Sequence, residues 1–309
     1  MRKMLLAAAL ALLAVRAGAA ERIVYEADSL YHHILVSESS GLRILRFRKG
    51  SVEDALHSSF AQTIISLEDP YALYMHYSKH CMVGAAAVEK PERVCFVGLG
   101  GGSLPKFFAR LYPGCRIDVA ELDAKVVEVA RRFFFLPQIE NMNINVVDGR
   151  VFLRETEKKY DLIFLDAYRD QMIPFHLMTL DFFEELKSKL APGGLLVSNV
   201  ALRESSQLYP WLLRTYQSAF PALWVADVPG TINKVFLAAN EPETIDGDEL
   251  VEKSEKLAAK HDLGFDLPAC AARFKDVSKE EPSDRVLTDD YAPVNLMRLR
   301  QADEKDWEY

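Results

Sequence analysis

Glycines with the spacing of a ligand-binding loop follow the first strongly apolar run of this sequence. Gly98, Gly100 and Gly102 lie in the segment VGLGGGS, directly after RVCFV. Glycines at such a position let the backbone approach a ligand closely and begin a helix whose amino terminus attracts polar groups. A tight structural turn uses glycines in the same way, so the loop alone does not establish a binding site.

Two carboxylates downstream have the spacing expected for nucleoside recognition. Glu121 ends the run RIDVAEL, about 20 residues after the glycines, where an acidic side chain can accept both ribose hydroxyls. Asp123 is the alternative, although it could instead cap the next helix. Asp148 and Gly149 follow INVV, where the carboxylate could accept an adenine amino group or the pair could form a simple turn.

A third acidic position ends the run DLIFLD, at Asp166, with Tyr168 and Asp170 close behind. The carboxyl ends of strands in open α/β sheets are where ligands bind. A carboxylate there could take a proton from an amine or steer a cation. A cap on the strand end is the structural alternative.

The elements that would position these residues alternate between strand and helix. Strands are predicted at 93–100, 116–122, 144–148, 161–166 and 195–200, helices at 104–112, 124–134 and 178–190, and a hairpin at 222–227 and 234–240. Continuous apolar strands separated by helices indicate a buried parallel sheet. The predicted fold is α/β and Rossmann-like, with a mostly parallel sheet and helices on both faces.

A small β region precedes this pattern. Apolar runs at 31–38 and 42–47 flank a Ser-Ser-Gly turn, a further strand is predicted at 61–67, and a more soluble helical stretch is predicted at 246–275. A helix is predicted after Asp69-Pro70, with Leu73, Tyr77 and Cys81 on one face. The predicted segments are 1–20, the small β region 21–67, the Rossmann-like domain 68–300 and a polar tail 301–309.

The first twenty residues have the pattern of a secretory signal. Arg2 and Lys3 precede an apolar run from Met4 to Val15, and small residues follow Arg16. The run is short for a bilayer span. Arg16 is unusual near the end of a signal peptide, so an uncleaved membrane anchor is the alternative. We therefore expect an exported, periplasmic or extracellular, protein or one tethered to a membrane, and a cytoplasmic one if the signal is not used.

Composition excludes some functions. The formal net charge is −8 and the basic residues are scattered, which argues against nucleic-acid binding. The four cysteines form no CxxC pair, and buried apolar positions are expected for them. His76 and His80 are four apart, but no third ligand is evident, so no metal is predicted.

The glycine loop and the carboxylates, in this order, resemble the spermidine synthase (polyamine aminopropyltransferase) family, whose fold is of the class I methyltransferase type. The resemblance covers roughly residues 25–240 and is carried by VGLGGGSLPKF, VAELDAKVVEVARRFF, VVDGRVFL and IPFHLMTLDFF. The segment LTDDYAPVN at 287–295 is similar to the tail of spermidine-synthase-like proteins.

The resemblance implies roles for individual residues. Glu121 would bind ribose, Asp148 adenine, and Asp166 would deprotonate or orient the attacking amine. The pocket residues ahead of the glycine loop would be Gln62 and Tyr77. The co-substrate would be decarboxylated S-adenosylmethionine or S-adenosylmethionine, with a small amine of unknown identity as acceptor.

Three departures from the family pattern affect the amine side. The family has an aspartate where this chain has Gly101, and a tyrosine where it has Val228. The family also has a second aspartate in its catalytic loop, which would fall near Arg169, and Asp170 is one place away from that position. Without the charge at Gly101, ordinary S-adenosylmethionine is better tolerated. The resemblance still makes aminopropyl transfer the expected activity. The three departures leave methyl transfer, or non-catalytic binding of a nucleoside or polyamine, as alternatives. A homodimer and membrane association through the amino terminus stay open.

Overall fold

Two β-sheets organise the part of the chain that the computed structural model describes, which is residues 21–48, 61–168, 173–202, 206, 208–242 and 246–291. The smaller sheet is antiparallel, in the order β1 (Arg22–Asp28), β2 (His33–Ser39), β3 (Leu42–Arg48) and β4 (Thr63–Ser66). The predicted hairpin between the second and third strands is present. Ser40 and Gly41 make its turn with φ of 51° and 77°. The predicted segments 1–20 and 301–309 lie outside the described residues.

The larger sheet contains the predicted parallel strands. Its members are β5 (Arg93–Val97), β6 (Arg116–Glu121), β7 (Met142–Val146), β8 (Tyr160–Leu165), β9 (Leu190–Ala201), β10 (Ala222–Asp227), β11 (Asn233–Ala239) and β12 (Lys275–Asp276). Their order is β12-β10-β11-β9-β8-β5-β6-β7. The pairs among β5 to β9 are parallel, whereas β11 joins β9 antiparallel and pairs with β10 as the predicted hairpin.

Helices cover both faces of this sheet. They are α1 (His76–Val88), α2 (Ser103–Leu111), α3 (Ala124–Phe133), α4 (Gly149–Glu155), α5 (Leu180–Lys187), α6 (Leu208–Ala219), α7 (Gly247–Lys260) and α8 (Leu267–Ala271), and a short 3-10 turn spans Phe175–Leu177. The helices α4 and α6 are additional to the predicted elements. Among the described helices, none is long and apolar enough to cross a membrane.

The prediction that a helix begins next to Pro70 was wrong. The Asp69 side chain accepts hydrogen bonds from the backbone of Tyr71 and Ala72, at 3.1 and 3.2 Å, and closes a separate turn. The helix α1 begins at His76, six residues after Pro70. Leu73 therefore packs into the core from the turn that precedes the helix. A local side-chain-to-backbone turn competes successfully with helix formation here.

Alternate side chains of the central strands enter two different apolar clusters. Phe96 and Phe164 stack at 4.6 Å between ring centroids, on the face that α1 and α2 cover. Cys95 and Ile163 point to the opposite face, against α5 and α6. Because both faces are buried, the strands have no polar alternation, which is why the sequence shows them as continuous apolar runs.

Candidate active site

The carboxyl ends of four parallel strands meet at one edge of the larger sheet. They bring together the glycine loop after β5, Glu121 at the end of β6, Asp148 after β7, and Asp166 after β8. The chain moves outward from β5 to β6 and β7, then returns to β8 on the other side of β5. Such a reversal of strand order opens a crevice, and open α/β sheets bind ligands there.

Gly98 allows the glycine loop to touch the segment that carries Asp166. Its φ is +99°, and a Cβ there would overlap the carbonyl oxygen of Asp166. Because only glycine combines this conformation with this contact, Gly98 fixes the spacing between the loop and the catalytic candidate.

The rest of the loop is held by the small sheet. Gly100 and Gly102 have φ of +53° and +72°, and Gly102 is the N-cap of α2. The backbone N–H of Gly101 donates to Oγ1 of Thr63, on β4, at 2.9 Å. Gln62 lies beside the loop, since its carbonyl oxygen is 3.8 Å from the position of a Cβ on Gly100. Gln62 therefore lies next to the glycine loop, and its role as a pocket residue stays a prediction.

Glu121 accepts a hydrogen bond from the glycine loop, next to which it was predicted to bind ribose. Its Oε2 accepts from the backbone N–H of Leu99, and its Oε1 from that of Asp123, both at 2.9 Å. Burial raises the pKa of this carboxyl to about 7, against the opposing effect of these two donors. The backbone N–H of Leu122 also acts on this carboxyl, so of the roughly four acceptor positions of a carboxylate about one stays open for a ribose hydroxyl. Asp123 instead caps α3, by accepting from the backbone N–H of Lys125.

Asp148 begins a helix and also contacts a histidine. Its Oδ1 accepts from the backbone N–H of Arg150 at 2.9 Å and of Val151 at 3.1 Å, as the N-cap of α4. Its Oδ2 is 2.9 Å from Nε2 of His176. The His176 hydrogen bond is the main cause that lowers the pKa of Asp148. A Cβ on Gly149 would overlap Val97, so the turn also needs its glycine.

Asp166 receives a hydrogen bond on each carboxylate oxygen. The Tyr77 hydroxyl, on α1, donates to Oδ2 at 2.9 Å, and Nδ2 of Asn199, on β9, donates to Oδ1 at 2.9 Å. The Asn199 oxygen in turn accepts from Nδ2 of Asn233 at 2.8 Å. A chain of amides therefore fixes the carboxylate from one side while the phenol fixes it from the other.

Burial dominates the electrostatics around Asp166. It raises the pKa of this carboxyl above its usual value, while the hydrogen bonds from Asn199 and Tyr77 act to lower it. The pKa of the Tyr77 hydroxyl is raised well above its ordinary value, first by burial and then by the Asp166 charge. The phenol therefore stays protonated and acts as a donor. The site holds a half-buried carboxylate whose orientation is fixed by a hydrogen bond on each oxygen.

Tyr168 and Asp170 were predicted as substrate residues after Asp166, and the structure describes only the first of them. Tyr168 lies beside the same strands, but its hydroxyl donates to the carbonyl oxygen of Asn199 at 2.7 Å and accepts from the backbone N–H of Ala201 at 2.8 Å. Its hydroxyl therefore ties the segment after β8 to β9, its ring packs against the apolar cluster on the side of α5 and α6, and a role in acceptor binding stays a prediction. Asp170 lies outside the described residues.

Asn199, His176 and Thr63 contact the predicted site residues but were not predicted themselves. A signal existed for Asn199, because Ser198 and Asn199 are the polar residues in the otherwise apolar run LLVSNV. His176 and Thr63 have no comparable signal, since each acts through a contact with a segment distant in sequence.

No group of three or more His, Cys, Asp or Glu side chains in the described part of the chain could hold a metal ion. Nδ1 of His80 lies 2.9 Å from the carbonyl oxygen of His76 on the same helix. All four cysteines are free and buried, as expected.

The fold defines the class of protein first. The order β7-β6-β5-β8-β9-β11-β10, with the glycine loop after β5, is that of the class I methyltransferase-like sheet, as predicted. The model of the spermine/spermidine synthase domain matches residues 76–219. A polyamine aminopropyltransferase of Vibrio vulnificus is 30% identical over 282 residues, which are 89% of this chain and 91% of the relative. This chain therefore belongs to the spermine/spermidine synthase family, and its relatives support a role as a transferase.

Two solved structures agree with this placement. A probable spermidine synthase from Corynebacterium glutamicum has a TM-score of 0.67 at 21% identity, over 87% of this chain and 97% of that one, which shows the shared fold. Human methyltransferase-like protein 13, crystallised in complex with SAH, has a TM-score of 0.56 at 28% identity, over 60% of this chain and 91% of that one.

Proposed function

We propose that this protein transfers an aminopropyl group from decarboxylated S-adenosylmethionine to a small amine. The single observation that carries the proposal is the half-buried Asp166 carboxylate, which Tyr77 and Asn199 orient at the edge of the sheet beside the glycine loop. The name of the Vibrio relative supports the aminopropyl group as the one transferred.

The chemistry needs a base and good positioning. An amine with a pKa of ~10 is mostly protonated at neutral pH and cannot attack in that form. Asp166 would accept the proton, and the amine nitrogen would then form a bond to the carbon next to the sulfonium sulfur. The carbon–sulfur bond breaks, its electron pair stays on sulfur, and neutral methylthioadenosine leaves. The protein contributes in-line alignment and proton transfer.

The nucleoside half of the co-substrate would occupy the crevice between the glycine loop, Glu121 and Asp148. The remaining acceptor capacity of Glu121 and the Asp148 carboxylate offer partners to a ribose hydroxyl and an adenine amino group. The human relative's complex with SAH supports a nucleoside of the S-adenosylmethionine type as the ligand class, SAH being the thioether that a sulfonium donor leaves after methyl transfer.

Methyl transfer from S-adenosylmethionine is the second candidate, and Gly101 favours it. A Cβ on Gly101 would lie 2.7 Å from Cγ2 of Thr63 and 2.9 Å from the Phe134 ring. The space that the family's aspartate would need is therefore filled, and no carboxylate there opposes the carboxylate of S-adenosylmethionine.

The decisive experiment supplies the purified protein with each nucleoside and a panel of diamines, and follows product by mass spectrometry. Aminopropylated amine from decarboxylated S-adenosylmethionine, formed about 10²–10⁴-fold more slowly by the Asp166→Asn variant, is the expected result. Methylated amine from S-adenosylmethionine alone would establish the second candidate instead. Calorimetry with methylthioadenosine separates the third outcome. Tight binding without any turnover would overturn both transfer activities and indicate a nucleoside-binding protein.

A further inference from the structure

The segment from Leu287 to Tyr291 belongs to the tail motif LTDDYAPVN and packs against the adenine side of the site. Leu287 is fully buried. Its carbonyl oxygen accepts from the backbone N–H of Leu180 at 2.8 Å, and its own N–H donates to Oγ1 of Thr215 at 2.9 Å. The segment is thus anchored at the start of α5 and on α6, far along the chain from the glycine loop.

Asp289 in this segment forms a two-point ion pair with Arg150. Nη1 of Arg150 lies 2.8 Å from Oδ1 and Nη2 lies 2.7 Å from Oδ2. The Thr179 hydroxyl donates to Oδ1 at 2.7 Å, and the backbone N–H of Asp289 donates to Oδ2 of Asp181 at 2.9 Å. A paired fork of this kind fixes direction as well as distance. The Arg150 hydrogen bonds are also the main cause that lowers the pKa of Asp289.

Arg150 transmits this constraint toward Asp148. The Arg150 side chain is 11% exposed and makes a second two-point contact with Glu185, at 3.0 and 2.7 Å. Its Nη1 also donates to the carbonyl oxygen of His176 at 3.2 Å. The backbone N–H of Arg150 and the imidazole of His176 contact the two different oxygens of Asp148. Asp289 therefore stabilises two of the three groups that set the rotation of that carboxylate, and the third is the backbone N–H of Val151.

We propose that Asp289 is a positioning residue for base recognition, and that it determines how strongly the site prefers adenine over hypoxanthine. The inference rests on the proposed nucleoside site. A carboxylate held in one rotation presents a fixed acceptor to the 6-amino group of adenine. Hypoxanthine has a 6-oxo group in place of the amino group. Its oxygen would face the carboxylate oxygen without a hydrogen-bond donor between them, which weakens binding. If the rotation were free, Asp148 could turn away and the penalty against hypoxanthine would fall.

The test compares Asp289→Asn with Asp290→Asn, which removes the same charge one residue away. Asp290 is exposed and makes no hydrogen bond or ion pair with any described residue. Calorimetry gives the Kd of methylthioadenosine and of methylthioinosine for each protein, and a thermal melt reports any loss of stability. We expect the ratio of the two Kd values to fall by about tenfold for Asp289→Asn, the scale of a lost charged hydrogen bond. It should stay at the wild-type value for Asp290→Asn.

Arg150→Lys provides an independent check, because it keeps the charge but not the fork and should lower the ratio in the same way. If Asp289→Asn weakens both nucleosides equally, the segment is only a structural tie and the inference is wrong. A wild-type protein that binds both nucleosides equally would also overturn it. Failure of the wild type to bind either one would instead overturn the proposed nucleoside site, and the inference with it.

Discussion

Nδ2 of Asn199 donates a 2.9 Å hydrogen bond to Oδ1 of Asp166, although 33 residues separate them along the chain. The bond crosses from β9 to the end of β8, on the face that α1 covers. Tyr77 occupies the other oxygen. Together they offset part of the cost of keeping this half-buried carboxylate ionised, because hydrogen bonds to the charged form favour it.

Removing the Asn199 amide should shift the pH dependence of transfer. Burial already raises the pKa of Asp166 and the Asn199 bond lowers it, so Asn199→Ala should raise it further. As the proposed base, Asp166 would act only when ionised, so activity should be lost as the pH falls through this pKa. The acid limb of kcat/KM against pH should therefore move to higher pH.

Asn233→Ala should give a smaller shift of the same sign. Asn143→Ala, on an exposed strand position, is the control, and an unmoved limb for Asn199→Ala would show that the amide has only a packing role.

Asp166→Asn keeps the shape of the side chain but removes the proton acceptor. General-base assistance contributes about 10²–10⁴ in rate, so turnover should fall by about that factor. The Kd of methylthioadenosine should stay nearly unchanged, because the role proposed for Asp166 is toward the amine and not toward the nucleoside. Steady-state rates and calorimetry measure the two quantities. Equal turnover in both proteins would mean that Asp166 is only a strand-end cap.

Glu121 should make stability depend on pH. Its pKa in the folded chain is raised to about 7 from an ordinary value of 4.5. A carboxyl whose pKa is raised on folding stabilises the fold below its unfolded pKa, and that contribution is lost as the pH rises through the folded value. The unfolding free energy of wild type relative to Glu121→Gln should therefore fall between pH 4 and 8, by on the order of 3 kcal/mol. Urea titrations at both pH values measure it, and parallel pH curves would contradict the buried, protonatable state of Glu121.

Restoring the family's aspartate at Gly101 should destabilise the protein. A Cβ there meets Thr63 at 2.7 Å and the Phe134 ring at 2.9 Å, and overpacking of this kind costs about 1–3 kcal/mol. Gly114→Asp adds the same side chain where nothing lies within 4 Å, so its midpoint of urea unfolding should change little. We also expect no gain in affinity for decarboxylated S-adenosylmethionine from Gly101→Asp. A stable variant with that gain would show that the loop can open to accept the side chain.

The amino-terminal segment predicts export. Arg2, Lys3 and the apolar run that follows should direct the full-length chain to an exported or membrane fraction. Cell fractionation with amino-terminal sequencing decides between cleavage after the small residues and an uncleaved anchor. A chain recovered intact from Met1 and wholly in the cytosol would contradict the signal, and would place the protein beside its proposed nucleoside.

The sequence by itself predicted the parallel strands, the glycine loop and the acidic residues at the strand ends. Each depends on short-range information: a continuous apolar run marks a strand buried on both faces, and the residue after it must lie at the carboxyl edge. Positions of Gly98, Glu121, Asp148 and Asp166 at that edge follow from strand direction alone. The helix start at Pro70 was predicted wrongly because the Asp69 turn is equally local and stronger.

Only the tertiary structure decided how these groups are held. Tyr77 reaches Asp166 from a position 89 residues earlier, because α1 packs across the sheet. Asp289 reaches Arg150 across 139 residues, because the tail segment lies against α5. Each of these contacts depends on where whole helices and segments dock, which is set by the burial of their apolar faces and leaves no local pattern at the contacting residues. The residue types of the site are therefore visible in the sequence, whereas their orientation, protonation and mutual support are properties of the packed fold.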